Sequence, residues 1–170
     1  MFGPSYCRKH NDILEYIYFW KPTQENGIFS QWAYTPFSDK NYTYSCAEQY
    51  MMSQKACLFG DSDIFKQIMN EKDPSKMKSL GQKVRGFDAA IWDEEKYGIV
   101  VRASYLKFTN RAYIDHLIST GSGILVEASP YDRIWGIGVN AQQAEDICNW
   151  NGQNLLGQAL MEARKMIIDK

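Results

Sequence analysis

Histidine and paired cysteine motifs are nearly missing from this chain of 170 residues. The two histidines, His10 and His116, stand far apart, and the cysteines form no C-x-x-C pair. Zinc sites draw on clustered histidine and cysteine ligands, and the common nucleophilic triads need a histidine base. We therefore expect no metal site and no cofactor, and a histidine-dependent triad is poorly supported.

Long apolar runs and an excess of one charge sign are also missing. No run approaches the roughly 18 residues that a membrane span requires, and residues 1–11 contain no apolar signal segment. The net charge of −1 gives no whole-surface attraction to nucleic acid or membranes, although a local basic patch would change that. We expect a soluble, cytoplasmic protein with no membrane partner. Its cysteines are then expected to be free, buried thiols: Cys7, Cys46, Cys57 and Cys148.

What the chain does contain is the composition of a folded domain. Hydrophobic residues make up 45% and charged residues 23%, which is typical of globular proteins rather than of disorder. The length fits one domain with a sizeable core, and no repeat, linker or low-complexity tract divides it. We expect a single domain over residues 1–170, with its core at about residues 17–168.

Strand patterns lie mainly near the start of the chain, and helical patterns follow them. Short apolar and aromatic runs predict strands at residues 17–20, 29–34, 42–44 and 124–128. Capping signals and helical spacing predict helices beginning at Ser45, at Asp61 or Ser62, at Asp73-Pro74, at Asp88 (one helix to Phe108, or two joined near Gly98), at Arg111, at Ala141 and before Leu155. The expected fold class is α+β, a helical majority around a small, largely antiparallel sheet.

The stretch from Ser129 to Gly138 presents polar groups on a constrained turn. Pro130 stops the preceding strand because it has no N–H to donate, and Gly136 leaves room for a ligand near the backbone. The groups that the turn would present are a carboxylate, a guanidinium and an indole: Asp132, Arg133 and Trp135. The alternative is a plain proline and glycine turn whose Trp135 covers the core.

Glu48 is the second candidate carboxylate. Glycosidic cleavage passes through an oxocarbenium-like state, which a carboxylate can stabilise while another group protonates the leaving group. Ser45-x-x-Glu48 also matches a capping box, in which Glu48 returns to the cap N–H. The two roles are compatible, since the positive helix N-terminus would hold Glu48 ionised and suit it to base chemistry. For Asp132 the alternative is a turn-capping role.

Cations and tryptophans supply candidate ligands for a nucleotide. The candidate phosphate ligands, any of which could instead be simply solvated, are Lys55, Arg85, Arg102, Lys107 and Arg133. Lys55 is the strongest, because it lies two turns beyond Glu48 on the same helix face. Trp92 and Trp135 could stack on a flat ring, but helical spacing with apolar neighbours favours a core position for Trp92.

Several separated phrases stand in a specific order along the chain. They are Ser30 to Phe37, Ala47-Glu48-Gln49-Tyr50-Met51-Met52 with Lys55-Ala56, Gly86-Phe87-Asp88 before Trp92, Lys107-Phe108, Ser129-Pro130-Tyr131-Asp132 with Trp135-Gly136, and Asn154-x-Leu156-Gly157-x-Ala159-Leu160-Met161 with Arg164. In this order they resemble the YbiA-like family, also called NADAR for its association with NAD and ADP-ribose metabolism. The resemblance covers the chain from about Ile17 to its last helix.

The resemblance implies a single α+β domain that hydrolyses N-glycosidic bonds. Some members act on phosphoribosylamino-pyrimidine intermediates of riboflavin synthesis, and others remove ADP-ribose from guanine in DNA or guanosine. By similarity, Glu48, Asp132 and Lys55 take the catalytic positions, and Trp92 and Trp135 match family tryptophans. This chain departs from the pattern at Ser30-Gln31-Trp32, where many members have Ser-Asn-Phe, and at Ile137, where some have an acidic residue.

The resulting hypothesis is a cofactor-free N-glycoside hydrolase with a phosphoribosyl or ADP-ribosyl substrate, either a small molecule or ADP-ribosylated guanine in nucleic acid. Glu48 would position water or stabilise the ribosyl cation, assisted by Asp132 and by Lys55. The expected substrate-binding residues are Trp92, Trp135, Arg85, Lys107, Arg133, Ser30 and Gly136.

The rival function is a non-catalytic ADP-ribose or NAD sensor, which needs the cations and aromatics but not Glu48. A purely structural domain is a third interpretation. The sequence leaves open which carboxylate is the acid, whether an intermediate is covalent, and the oligomeric state.

Overall fold

The structure, a computed structural model, describes residues 15–145 and 149–170. Within these ranges the chain forms six helices and two pairs of strands. The strands are β1 (Tyr16–Phe19), β2 (Phe37–Asp39), β3 (Tyr42–Tyr44) and β4 (Ile124–Glu127). The helices are α1 (Ala47–Leu58), α2 (Ser62–Asn70), α3 (Pro74–Gly81), α4 (Ala89–Phe108), α5 (Ile114–Ile118) and α6 (Leu155–Ile168). Short 3₁₀ helices span Gly27–Phe29 and Gln143–Glu145. The α+β class with a helical majority is confirmed.

The strands form two separate pairs, only one of which is antiparallel. β2 and β3 make a hairpin that pairs Phe37 with Tyr44, whereas β1 lies parallel to β4, with Phe19 opposite Glu127. Parallel neighbours need a long crossover, and helices α1 to α5 supply it. The parallel pairing has a consequence for the site, because the carboxyl ends of β1 and β4 point to the same edge.

The predicted strand at residues 29–34 is wrong. The chain instead turns tightly there: the N–H of Ser30 donates to Gly27 O, and the N–H of Ala33 donates to Ser30 O. Gly27 is required, because a Cβ at that position would lie 2.3 Å from the carbonyl oxygen of Pro22. Local turn bonds and close packing therefore override the alternating pattern.

Aspartates begin three of the helices as the sequence predicts. Asp61, Asp73 and Asp88 accept hydrogen bonds from the first-turn N–H groups of α2, α3 and α4. Helix α4 continues through Gly98 without a break, and α5 is shorter than predicted. The helix predicted to begin at Ala141 is represented by the 3₁₀ helix Gln143–Glu145, and residues 146–148 lie outside the described residues.

The core lies between α1, α4, α6 and the β1–β4 pair. Its buried members include Met51, Val100, Phe108, Leu125 and Leu160. Gly157 lets α6 approach β4 closely, since a Cβ there would lie 2.1 Å from the carbonyl oxygen of Leu125.

The cysteine prediction holds for one described thiol and fails for the other. Cys46 is free and buried, as predicted, whereas Cys57 is free but exposed near the end of α1, contrary to the prediction. Cys7, Cys148 and His10 lie outside the described residues.

Candidate active site

A cleft of about 730 Å³ opens where β1 and β4 end. Its floor and walls come from the ends of the two parallel strands, the turn at residues 30–32, the first turns of α1, the end of α3 and the loop that follows β4. Its polar and charged lining residues are Lys21, Thr23, Ser30, Gln31, Glu48, Lys55, Lys78, Gln82, Glu127, Ser129 and Asp132. Three carboxylates from two distant parts of the chain, Glu48 and the segment with Glu127 and Asp132, therefore share one open cavity.

Glu48 stands in the first turn of α1 and is only 5% exposed. The indole Nε1 of Trp32 donates to its Oε2 at 3.3 Å, and its own N–H donates to the Gln31 carbonyl at 2.9 Å. Burial, together with the negative charge of Asp132, raises the pKa of Glu48 to about 7, against the lowering effects of Lys78 and Trp32. The sequence predicts that the positive helix N-terminus holds Glu48 ionised, whereas burial moves its pKa upward in the structure.

The capping box predicted from Ser45 and Glu48 does not form, and Gln49 rather than Glu48 binds Ser45. The N–H and Oγ of Ser45 both donate to Oε1 of Gln49, at 2.8 and 3.1 Å. The N-cap residue of α1 is Cys46, which makes no side-chain cap bond. Because Gln49 turns back to the helix start, the carboxyl group of Glu48 is available to the cleft.

Glu127 is a site residue that sequence reasoning missed. It is the last residue of β4, and the side chain of Asn154 fixes that strand end by accepting from the Glu127 N–H at 3.0 Å and donating to Leu125 O at 2.9 Å. Burial, with the charges of Asp132 and Glu48, raises its pKa to about 8. Its Oε2 is shielded from solvent and has no hydrogen-bond partner. The available signal was an acidic residue closing the apolar run Ile124-Leu125-Val126.

Asp132 lines the cleft and also closes its own turn. Its Oδ1 accepts from the N–H groups of Ile134 and Trp135, at 2.9 and 2.8 Å. The turn-capping role and the position at the cleft are thus both realised. Its charge helps to raise the pKa of Glu48 and of Glu127, which couples the three carboxyl groups electrostatically.

Gly136 provides room for the protein chain rather than for a ligand. A Cβ there would lie 2.9 Å from the carbonyl oxygens of both Asp132 and Glu127. The glycine therefore allows the Asp132 loop to fold against the end of β4. It is not among the residues that line the cleft, and its part in substrate binding stays a prediction.

Lys55 projects into the cleft between two aromatic rings. Its Nζ lies 4.2 Å from the centre of the Phe87 ring and 5.3 Å from that of Trp92, and burial lowers its pKa. Trp92 and Trp135 line the cleft with their exposed parts while they pack against the core with the rest. Ser30 lines the cleft too, and its Oγ accepts from the N–H of Trp32.

Four of the five candidate phosphate ligands lie away from the cleft lining, and only Lys55 is part of it. Arg85 is bound by Asp61 and Asp63, with Nη2 at 2.6 and 2.7 Å from their oxygens. Lys107 is buried behind the turn at residues 28–30, and Arg133 is exposed outside the lining. Arg102, the fourth of them, pairs with Asp39. Lys78, which was not among the residues predicted from the sequence, lines the cleft from α3.

Clustered metal ligands and membrane-spanning helices are both missing from residues 15–145 and 149–170. Within those ranges, no three or more His, Cys, Asp or Glu side chains are grouped so that they could hold a metal ion. No helix in the same ranges is long and apolar enough to cross a membrane.

Comparison with known proteins finds matches along most of the chain. The family model described as the NADAR domain matches residues 18–168. An N-glycosidase of Acanthamoeba polyphaga mimivirus is 47% identical over 148 residues, covering 81% of this chain and 86% of that protein. The chloroplastic riboflavin biosynthesis protein PYRR of Zea mays is 29% identical over 167 residues, covering 89% of this chain but 25% of that protein. The NMR structure of the E. coli protein YbiA superposes with a TM-score of 0.75 at 25% identity, covering 91% of this chain and 86% of that one.

Proposed function

This chain belongs to the NADAR domain family, and we propose that it is an N-glycosidase that hydrolyses the C–N bond of a phosphorylated ribosyl or ADP-ribosyl compound. One observation carries the proposal: in one open cleft Glu48 is buried and Glu127 half-buried with its Oε2 shielded from solvent, and neither forms a salt bridge within the described ranges. Unpaired buried carboxyls are costly to a fold, and they are suited to proton transfer near neutral pH. The names of the mimivirus and Zea mays relatives support the same reaction class and a riboflavin-pathway substrate.

The two glutamates are suited to different steps. With a pKa of about 8, Glu127 is mostly protonated at pH 7 and can donate its proton to the departing nitrogen as the C–N bond breaks. The bond electrons leave with that nitrogen, and the positive charge develops on the ribosyl carbon. Glu48, with a pKa of about 7 and a hydrogen bond from Trp32, is the stronger acid and supplies the carboxylate. That carboxylate stabilises the cation and takes a proton from the attacking water.

The remaining lining residues fit the two ends of such a substrate. Lys55 and Lys78 place positive charge in the cleft, as a phosphate or pyrophosphate group requires. Exposed aromatic surface at the mouth suits a flat leaving group: Tyr131 is 87% and Trp32 39% exposed, and Trp20 packs against Tyr131 with ring centres 5.9 Å apart. Asp132 contributes through its charge, which helps to keep the acid protonated. The cytoplasmic location expected from the sequence is part of this proposal.

The test is an incubation of the purified protein with four candidates: a phosphoribosylamino-pyrimidine intermediate of riboflavin synthesis, NAD, ADP-ribose and ADP-ribosylated guanosine. Products are identified by mass spectrometry, and binding of each candidate is measured by calorimetry. Release of a free base or free ribosyl product from at least one candidate is expected. Binding of ADP-ribose or NAD without release of product from any candidate would instead establish the sensor function. Absence of both binding and turnover would contradict both functions.

A further inference from the structure

Lys107 is a buried cation for which the reaction described above has no direct use. It lies on α4, is 1% exposed, and donates from Nζ to the carbonyl of Ser30 at 3.1 Å and to the carbonyl of Ile28. No carboxylate pairs with it within the described ranges. Burial lowers its pKa to about 7. Burying a lysine without a carboxylate partner lowers the free energy of unfolding, so the contacts of Lys107 with this one turn require an explanation.

The turn that Lys107 holds leads directly to Glu48. Beyond Ser30, the Gln31 carbonyl accepts from the N–H of Glu48 at 2.9 Å, and the Trp32 indole donates to Oε2 of Glu48 at 3.3 Å. The Trp32 N–H is itself held by Oγ of Ser30 at 3.3 Å. The turn is therefore bound on its core side by Lys107 and on its cleft side by Glu48.

We propose that Lys107 is a positioning residue for the glycosidase reaction: its hold on the carbonyls of Ile28 and Ser30 sets the turn so that the Trp32 indole donates to Glu48. The inference rests on the proposed function for the role of Glu48, but the contact that it predicts is testable without turnover. Without the ammonium group, both carbonyls lose a buried donor, and the turn is free to move the indole away. Lys107 then acts through Trp32 and not on the substrate.

The first test is a double-mutant cycle read out on the pKa of Glu48. The glutamate carboxyl carbons are followed by ¹³C NMR as the pH is raised, and Glu48→Gln assigns the signal. Four proteins are compared: wild type, Lys107→Met, Trp32→Phe and the double variant. The charged groups that act on Glu48 are Lys78 of α3, Asp132 and Glu127. These three residues are the same in all four proteins.

Trp32→Phe removes a donor to the carboxylate, so the pKa of Glu48 is expected to rise by about half a unit. Lys107→Met is expected to give a similar rise, and the double variant no further rise, because both changes remove the same hydrogen bond. An unchanged pKa of Glu48 in Lys107→Met, or rises that add in the double variant, would overturn the proposal.

The second test uses whichever candidate substrate is turned over in the incubation proposed above. Lys107→Met should lower kcat about tenfold with little change in KM. Adding Lys107→Met to Trp32→Phe should not lower kcat below that of Trp32→Phe alone. The matched control is Arg164→Met, another buried cation that donates to backbone, here to the Gly123 carbonyl at 2.9 Å, away from the cleft. It should lower the melting temperature and leave the pKa of Glu48 unchanged.

The outcomes separate the two proposals. A wild-type protein without turnover contradicts the glycosidase function, while the NMR cycle still decides the role of Lys107. Should Lys107→Met fail to fold, Lys107→Arg, which keeps a donor, is measured in the same cycle. Failure of both variants to fold would show that Lys107 serves the core and would overturn the positioning role.

Discussion

Two groups of buried carboxylates are held in opposite ways in this protein. The Asp61 side chain, fully shielded from solvent at the start of α2, accepts from Nε and Nη2 of Arg85 at 3.0 and 2.6 Å and from two backbone N–H groups. These donors hold its pKa well below the usual range. In the cleft, Glu48 has one indole donor and Glu127 has an unpartnered oxygen, and the pKa of each is raised. The hydrogen-bonding and charged partners of a carboxyl group, and not burial alone, therefore decide whether its pKa is raised or lowered.

The two groups also affect stability in opposite pH ranges. A lowered pKa, as at Asp61, stabilises the folded state above the unfolded pKa, and that contribution is lost as the pH falls through and below about 4. A raised pKa, as at Glu48 and Glu127, favours the fold below the unfolded pKa of about 4, and that contribution is lost as the pH rises through about 7 and 8. The cleft is therefore a source of instability at neutral pH, as expected of groups kept for chemistry.

The largest expected effect is a loss of turnover when the cleft residue Glu48 is replaced, in contrast to a loss of stability when Asp61 is replaced. Glu48→Gln should lower kcat about 1,000-fold while substrate binding is retained, because the amide can neither stabilise the cation nor accept a proton. Asp61→Asn should lower the melting temperature by about 5 °C and leave kcat unchanged. Turnover assays and thermal melts of both variants provide the measurement. A similar loss of kcat in the two variants would remove the functional distinction.

The assignment of Glu48 as the base and Glu127 as the acid can be tested through the pH dependence of kcat/KM. Wild-type kcat/KM should peak between pH 7 and 8, since Glu48 must be ionised and Glu127 protonated. Glu127→Gln should lower kcat about 100-fold and abolish the alkaline limb while the acid limb stays. If the acid limb disappears instead, Glu127 is the base and the two assignments must be exchanged.

Stability measurements test the same carboxyls without a substrate. At pH 8, Glu48→Gln and Glu127→Gln should each unfold in urea with a free energy on the order of 2–3 kcal/mol higher than the wild type. At pH 5 the differences should largely disappear, because the wild-type carboxyls are then protonated in the folded protein. Equal stability at both pH values would mean that the cleft does not raise the pKa of either group.

A smaller effect is expected from Lys78, one of the cations that line the cleft. Lys78→Gln should raise KM about tenfold for a phosphorylated substrate and move the pH optimum upward, because Lys78 lowers the pKa of Glu48 and of Glu127. Lys76→Gln is the matched control on the same helix, since Lys76 is outside the cleft lining. The same change of KM in both variants would mean that the net charge of α3, and not the cleft, is responsible.

The smallest kinetic effect is expected at Arg85, which the sequence had suggested as a phosphate ligand. Arg85→Gln should change kcat/KM less than about twofold, because Arg85 is committed to Asp61 and Asp63. It should also raise the pKa of Asp61 and shift acid unfolding to higher pH. A large rise of KM in this variant would restore Arg85 to the substrate site.

Prediction from sequence worked best where a local rule fixes the structure. Asp61, Asp73 and Asp88 begin helices as their spacing indicates, and Tyr42–Tyr44 forms the predicted strand. The rule was insufficient at Ser45, because Glu48 and Gln49 are adjacent and both can turn back to the helix start. In the structure Gln49 accepts from the N–H of Ser45, and it also donates to the carbonyls at the end of α2, for example that of Ile68 at 3.0 Å.

The amino-acid sequence by itself determined the helix starts, the α+β class, the family resemblance and the candidacy of Glu48, Lys55 and Asp132. These follow from spacing within short segments or from the order of motifs. Only the tertiary structure decided that β1 and β4 are parallel, that Glu127 joins the site, and that Lys107 lies beneath a turn instead of against a phosphate. The reason is physical: a pKa, a buried donor or a cleft depends on which distant segments exclude water together, and no local pattern encodes that.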